Sequence, residues 1–206
     1  MTRLLDDELL DRFDRVLAAQ PGDLLGLVGP GPSERVLRTA LDGLPMAPTN
    51  EVVRWLGRHR WDGAFVLPGL EALDVRSVVE GYHLMRELAV EAAHQGQPVR
   101  PGADARLANP DHWWSPHWLM VLSLGGSYKL AIDCAGAPDG PSPVRMIAWD
   151  GPDEPDYAAA FSPSLGQYIE DACRVLEDGR YRYDPSRETW LPMDWATRPI
   201  VELFSS

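Results

Sequence analysis

The sequence is poor in cysteine, nearly empty of lysine, and without long hydrophobic runs. Its two cysteines, Cys134 and Cys173, are too few for a disulfide framework in a chain of 206 residues. Neither belongs to a C-x-x-C pair, and both sit in apolar patterns, so buried free thiols are expected. Lys129 is the only lysine among 19 basic residues, a skew that reads as codon composition and not as phosphate recognition. No stretch approaches the ~18 consecutive apolar residues of a membrane span. Asp6, Asp7 and Glu8 arrive before any run of signal-peptide length. The chain is therefore expected in the cytoplasm and off the membrane.

Catalytic patterns are missing as well. Gly29-Pro30-Gly31-Pro32-Ser33 lacks the Gly-Lys-Ser/Thr ending of a phosphate loop, and its prolines remove amide donors. Ser127 follows Gly125-Gly126 in an expected hairpin turn, not at the strand-to-helix elbow a nucleophilic serine needs. Asp111, His112 and His117 are metal-capable types, yet a five-residue histidine spacing broken by proline matches no common ligand pattern. His59 and His83 fall at the end of a helix and within one, where capping or surface roles are expected. The reading is a non-enzyme without metal or cofactor.

What the chain does have is negative charge. Its formal net charge is −12, and the segment 150–206 carries 12 acids against 5 bases. Such a surface repels nucleic-acid backbones and suits a basic protein partner, because opposite fields speed encounter. Acidity also serves solubility alone.

An apolar content of 45% supports a real core. Leu4, Leu5, Leu9, Leu10, Phe13, Val16 and Leu17 recur at helical spacing until Pro21-Gly22. Residues 1–32 are expected as an N-terminal helical arm appended to a core domain, 33–184. Ser33 is placed to cap a short helix with Val36, Leu37 and Leu41, and Thr49 or Asn50 the next, with Val52, Val53, Trp55 and Leu56 as its stripe. Val66 to Leu70 reads as an extended segment. Asp74 starts the longest helix, to about His94. Residues 95–110, rich in proline and glycine, are expected as an exposed loop.

Trp118 to Leu124 is apolar on both faces, as a central strand is. Gly125-Gly126 supplies a two-residue turn. Tyr128, Leu130, Ile132 and Cys134 then alternate with polar or small residues. Pro143 to Trp149 makes a third antiparallel strand. A helix follows with Leu165, Tyr168, Ile169, Ala172, Cys173 and Leu176 inward, capped by Ser162 or Ser164. Tyr181 to Tyr183 is expected as an edge strand, and the tail 185–206 is apolar enough to pack back on the domain. Helices, a meander and a closing helix make a single α+β domain.

The order of these pieces resembles the SUKH superfamily, shared by yeast cell-wall regulators of the Smi/Knr type and many bacterial immunity proteins. The likeness is carried by Leu44-Pro45, Trp55-Leu56, the run Arg58 to Gly63, Leu67-Pro68-Gly69 and Leu73. It continues through Trp114-Ser115-Pro116-His117-Trp118-Leu119, Gly125-Gly126, Leu130, Asp133 and Val144. The helix from Phe161 to Leu176, then Gly179 and Tyr181, closes it, so that it covers roughly residues 36–184. The resemblance implies an immunity protein that occludes a basic toxin domain, such as a nuclease. The alternative it implies is a regulatory or scaffolding interaction module. Trp113 and Trp114 are the expected anchors, since tryptophan is favoured at binding hot spots. Asp150, Asp153, Glu154 and Asp156 are the expected steering acids. Asp133 either lines a partner groove or accepts backbone N–H bonds in the Ala135-Gly136 turn.

Overall fold

The computed structural model describes residues 2–95, 109–123, 128–148 and 160–193. In chain order the elements are α1 (Asp7–Ala18), β1 (Gly29–Pro30), α2 (Glu34–Leu41), α3 (Asn50–Arg58), β2 (His59–Arg60) and β3 (Glu71–Ala72). Then come α4 (Val75–Gln95), α5 (Pro110–Trp113), β4 (Trp118–Ser123), β5 (Tyr128–Asp133) and β6 (Val144–Ala148). β7 (Ala160–Ser162), α6 (Leu165–Glu177), β8 (Tyr181–Asp184) and β9 (Thr189–Pro192) complete them. The architecture is α+β. Its centre is an antiparallel meander, β3-β4-β5-β6-β7, in which every strand lies beside its sequence neighbour. The pairs β1-β2 and β8-β9 form separate ribbons.

Alternation along the strands splits the apolar side chains between two cores. Leu130, Ile132 and Val144 join the larger one with α1, α3 and α6, while Ala131 and Ile147 face a smaller one under α4 and α5. The register of β4 on β5 shifts between Leu119 and Leu122. That irregularity, as in a β-bulge, lets Leu119, Val121 and Leu122 all enter the larger core.

Residues 1–32 are not an appendage. Asp6 caps α1 by accepting the Leu9 N–H at 2.9 Å, as favoured N-caps do. Leu5, Leu9, Phe13 and Leu17 are all buried in the larger core. The Phe13 ring lies 5.8 Å from Trp55, which in turn stacks on Trp61 at 4.4 Å. An apolar stripe of this length needs a cover, and α6 with α3 provides it.

A single buried acid ties this first segment to the rest. Glu51 is 2% exposed, and its carboxylate accepts backbone N–H groups from Leu5 (2.8 Å), Ser142 (2.6 Å) and Gly166 (2.8 Å). Three remote chain segments thereby share one acceptor. Gly166 is required there: a Cβ would lie 2.2 Å from the backbone of Leu4 and Leu5.

Other expectations shift in detail. Val66 to Leu70 is a tight turn closed by a Leu67–Leu70 bridge, with Gly69 at φ +75°, and the strand is Glu71–Ala72 after it. Ser164 caps α6, accepting from the Gln167 N–H at 2.9 Å. Thr49 holds the cap position of α3 but makes no cap bond; its hydroxyl pairs with Ser142 instead. Tyr181 to Tyr183 does not extend the meander; it pairs with β9, where Trp190 is buried and donates to the Phe65 carbonyl at 2.8 Å. The Gly125-Gly126 turn, most of the 95–110 loop, and the tail beyond Met193 lie outside the described residues.

Candidate partner-binding face

The side of the meander that packs under α4 and α5 gathers the aromatic residues singled out by the sequence. Asn109 begins the short turn α5, its side chain accepting from the Asp111 N–H at 3.0 Å, with Pro110 at the first helical position. The Trp114 N–H returns to the Pro110 carbonyl at 3.1 Å. Helix α4 fixes this loop from below. Arg86 donates to the Trp114 carbonyl and, at 2.7 Å, to Asp111, while the Tyr82 hydroxyl donates to the Pro116 carbonyl at 3.2 Å.

Trp114 and Trp118 then meet edge to face, with ring centroids 5.7 Å apart and planes at 85°, a favoured aromatic geometry. The Trp114 indole N–H donates to the Trp118 carbonyl at 3.2 Å. Trp118 lies opposite Asp133 in the β4–β5 register. Asp133 accepts the Ala135 N–H at 3.0 Å through one oxygen and Arg145 Nε at 2.9 Å through the other. The Arg145 guanidinium carbon sits 5.9 Å from the Trp118 ring centroid, within cation–π range.

The expected site residues thus divide. Trp114 is fully buried, so it supports the strand entry and is not the surface anchor expected; its indole N–H has an internal acceptor, and its ring completes the smaller core. Trp113 is half-buried against that same core and alone of the two reaches the surface. Asp133 takes the turn-stabilising role, and its side chain is only 14% exposed. The structure brings Trp114, Trp118, Asp133 and Arg145 into one connected group. Asp150, Asp153, Glu154 and Asp156 lie outside the described residues.

A second polar cluster was not visible in the sequence as a unit. His59 Nε2 lies 2.7 Å from Asp14, and Arg58 Nε donates to the same carboxylate at 2.8 Å. Burial would raise the Asp14 carboxyl, but the bonds from His59 and Arg58 outweigh it and hold the group below the ordinary carboxylate range. The His59 ring also packs edge-on to Trp61 at 4.9 Å. This His–Asp contact joins α1 to β2 across 45 residues of sequence, and no local signal announces it. Among the described residues no three His, Cys, Asp or Glu side chains are grouped to hold a metal ion, and no helix is long and apolar enough to cross a membrane. Compared with known proteins, the sequence matches no family model and no curated protein.

Proposed function

We propose that this chain is a non-catalytic protein-binding domain of the SUKH kind, an immunity protein that acts in the cytoplasm by occluding a basic toxin domain. One observation carries the reading: the way the arginines are used. Arg3, Arg12, Arg58, Arg86, Arg145 and Arg174 each contact a carboxylate of the same chain. Positive charge at these positions is matched within the molecule, and the chain keeps a formal surplus of −12 for a partner to meet. Complementary charge raises association rate and rejects acidic competitors. The likeness in residues 36–184 supplies the class of partner.

Capture from native cytosol on the immobilised full chain, at low and high salt, tests this. A basic protein that binds at low salt and is released at high salt is expected, since exposed charges are screened within roughly 10 Å at about 0.1 M salt. Capture of a neutral partner that salt does not disturb overturns the electrostatic reading. A large toxin gene beside the coding sequence favours immunity, and its absence favours the regulatory module.

A further inference from the structure

We infer that the groove between α2 and the segment Leu44–Pro48 receives an apolar side chain flanked by lysine or arginine on the partner protein. This inference rests on the protein-binding reading above and gives it a location. The groove holds about 590 Å³, within the ~300–1,000 Å³ typical of ligand clefts. Its floor is apolar: Leu37, Leu41 and Leu44 are 3, 7 and 9% exposed. Met46 and Pro48 form part of the wall.

The rim is acidic. Glu34 is matched by Arg38 one turn away and adds no net charge. Asp42, at the C-cap of α2, is exposed and lines the opening. Asp139, also exposed, accepts from Asn50, which lines the groove beside it. An alkyl side chain would leave water on the leucine floor while cationic neighbours met Asp42 and Asp139. An anionic or uncharged flank would gain only the first of these.

The groove is also built before anything binds. The Leu44 N–H donates to the Leu41 carbonyl at 3.0 Å, and the Asn50 N–H to the Pro138 carbonyl at 2.8 Å. Thr49 is pinned through Ser142. Pro45 and Pro48 restrict the backbone between these ties. Little ordering is left for the binding event, which preserves affinity. The Trp114–Asp133 group competes poorly, because Trp114 is buried there and Asp133 has both oxygens engaged.

A random-heptapeptide display library selected on the full chain at low salt tests the inference. Enriched peptides are expected to share an apolar residue flanked by lysine or arginine. Affinity of the synthetic peptides, read by fluorescence anisotropy, should fall about tenfold or more in Asp42→Lys and in Ala47→Arg, through like-charge contact and filling of the groove. Both positions are exposed, so the variants should keep the parent's thermal transition. Glu91→Lys, on the exposed side of α4, should bind as the parent does. No enrichment over an unrelated bait, enrichment of acidic peptides, or binding that survives both groove variants overturns the inference. If Arg145→Ala abolishes binding while the groove variants do not, the groove is wrong and the protein-binding reading stands. If the cytosolic capture also yields no basic partner, both fall.

Discussion

Trp114 and Trp118 form a closed pair in which the first ring stands on edge against the second and its N–H ends on the second residue's carbonyl. Trp114, which looks like a surface anchor in the sequence, is instead half of the clamp that starts the central strand. Truncation of Trp114 to alanine removes a fully buried ring, so a loss of about 3–5 kcal/mol is expected. Trp114→Phe keeps most of the packing and loses the N–H donor, with an expected cost of about 1–2 kcal/mol from the hydrogen bond. Urea unfolding followed by tryptophan fluorescence measures both, and equal midpoints for parent and Trp114→Ala would remove the clamp from the account.

Glu51 is the acid on which three chain segments converge. Glutamine is nearly the same shape but sets an NH₂ group against a backbone donor. At least one buried N–H is then unmet, and a cost of about 1–3 kcal/mol is expected. Circular dichroism during urea titration should show the midpoint fall with helix content preserved before the transition.

Gly166 faces the same junction from α6. Replacement by alanine places a methyl group 2.2 Å from Leu4 and Leu5 backbone atoms, so the first segment must lift away from α6. Proteolysis at low enzyme ratio should then cut near residues 1–6 faster than in the parent; an unchanged digestion pattern would show that the segment does not need this approach.

Asp14 predicts a pH dependence with a definite sign. Its folded pKa lies below the ordinary value of 3.8, so folding is favoured by its ionised form. That contribution is complete above the unfolded value and is lost as pH falls through the lower folded one. Asp14→Asn should therefore be less stable than the parent at neutral pH, with the gap narrowing below about pH 4. Urea midpoints at pH 7 and across the acid range read this directly; a gap that stays constant to the lowest pH would contradict it.

The thiols offer a probe of opening. Burial pushes Cys134 up to about 11 and Cys173 up to about 12, against an ordinary 9.0. Only the thiolate reacts with a disulfide reagent, and both side chains are buried. At pH 8 the native protein should label slowly at both positions and rapidly in urea. Fast native labelling of either cysteine would show that its cover opens.

Several of these features were legible before the fold was known. The stripes of α1, α4 and α6, the cap at Ser164 and the alternation of β5 follow from local periodicity and capping chemistry, which act over a few residues. The edge role assigned to Tyr181–Tyr183 and the arm assigned to residues 1–32 did not survive. In the first case the partner strand is the neighbouring Thr189–Pro192, held to the body by the Trp190 N–H on the Phe65 carbonyl. In the second the deciding contact is long-range, Leu5 to Leu17 against α6 and α3. Trp114 and Trp113 illustrate the same limit at a candidate site, since adjacent identical residues differ in burial, the first fully and the second half buried against one core.

The sequence by itself determined an acidic α+β chain with a central meander and two reduced thiols, because charge, period and turn residues are properties of short windows. Tertiary structure alone decided that Glu51 gathers Leu5, Ser142 and Gly166, that Asp14 meets His59, and that a leucine-floored groove opens beside Asp42. The Glu51 and Asp14 contacts join residues tens of positions apart, and a one-dimensional pattern holds no record of which buried donor will find which acceptor.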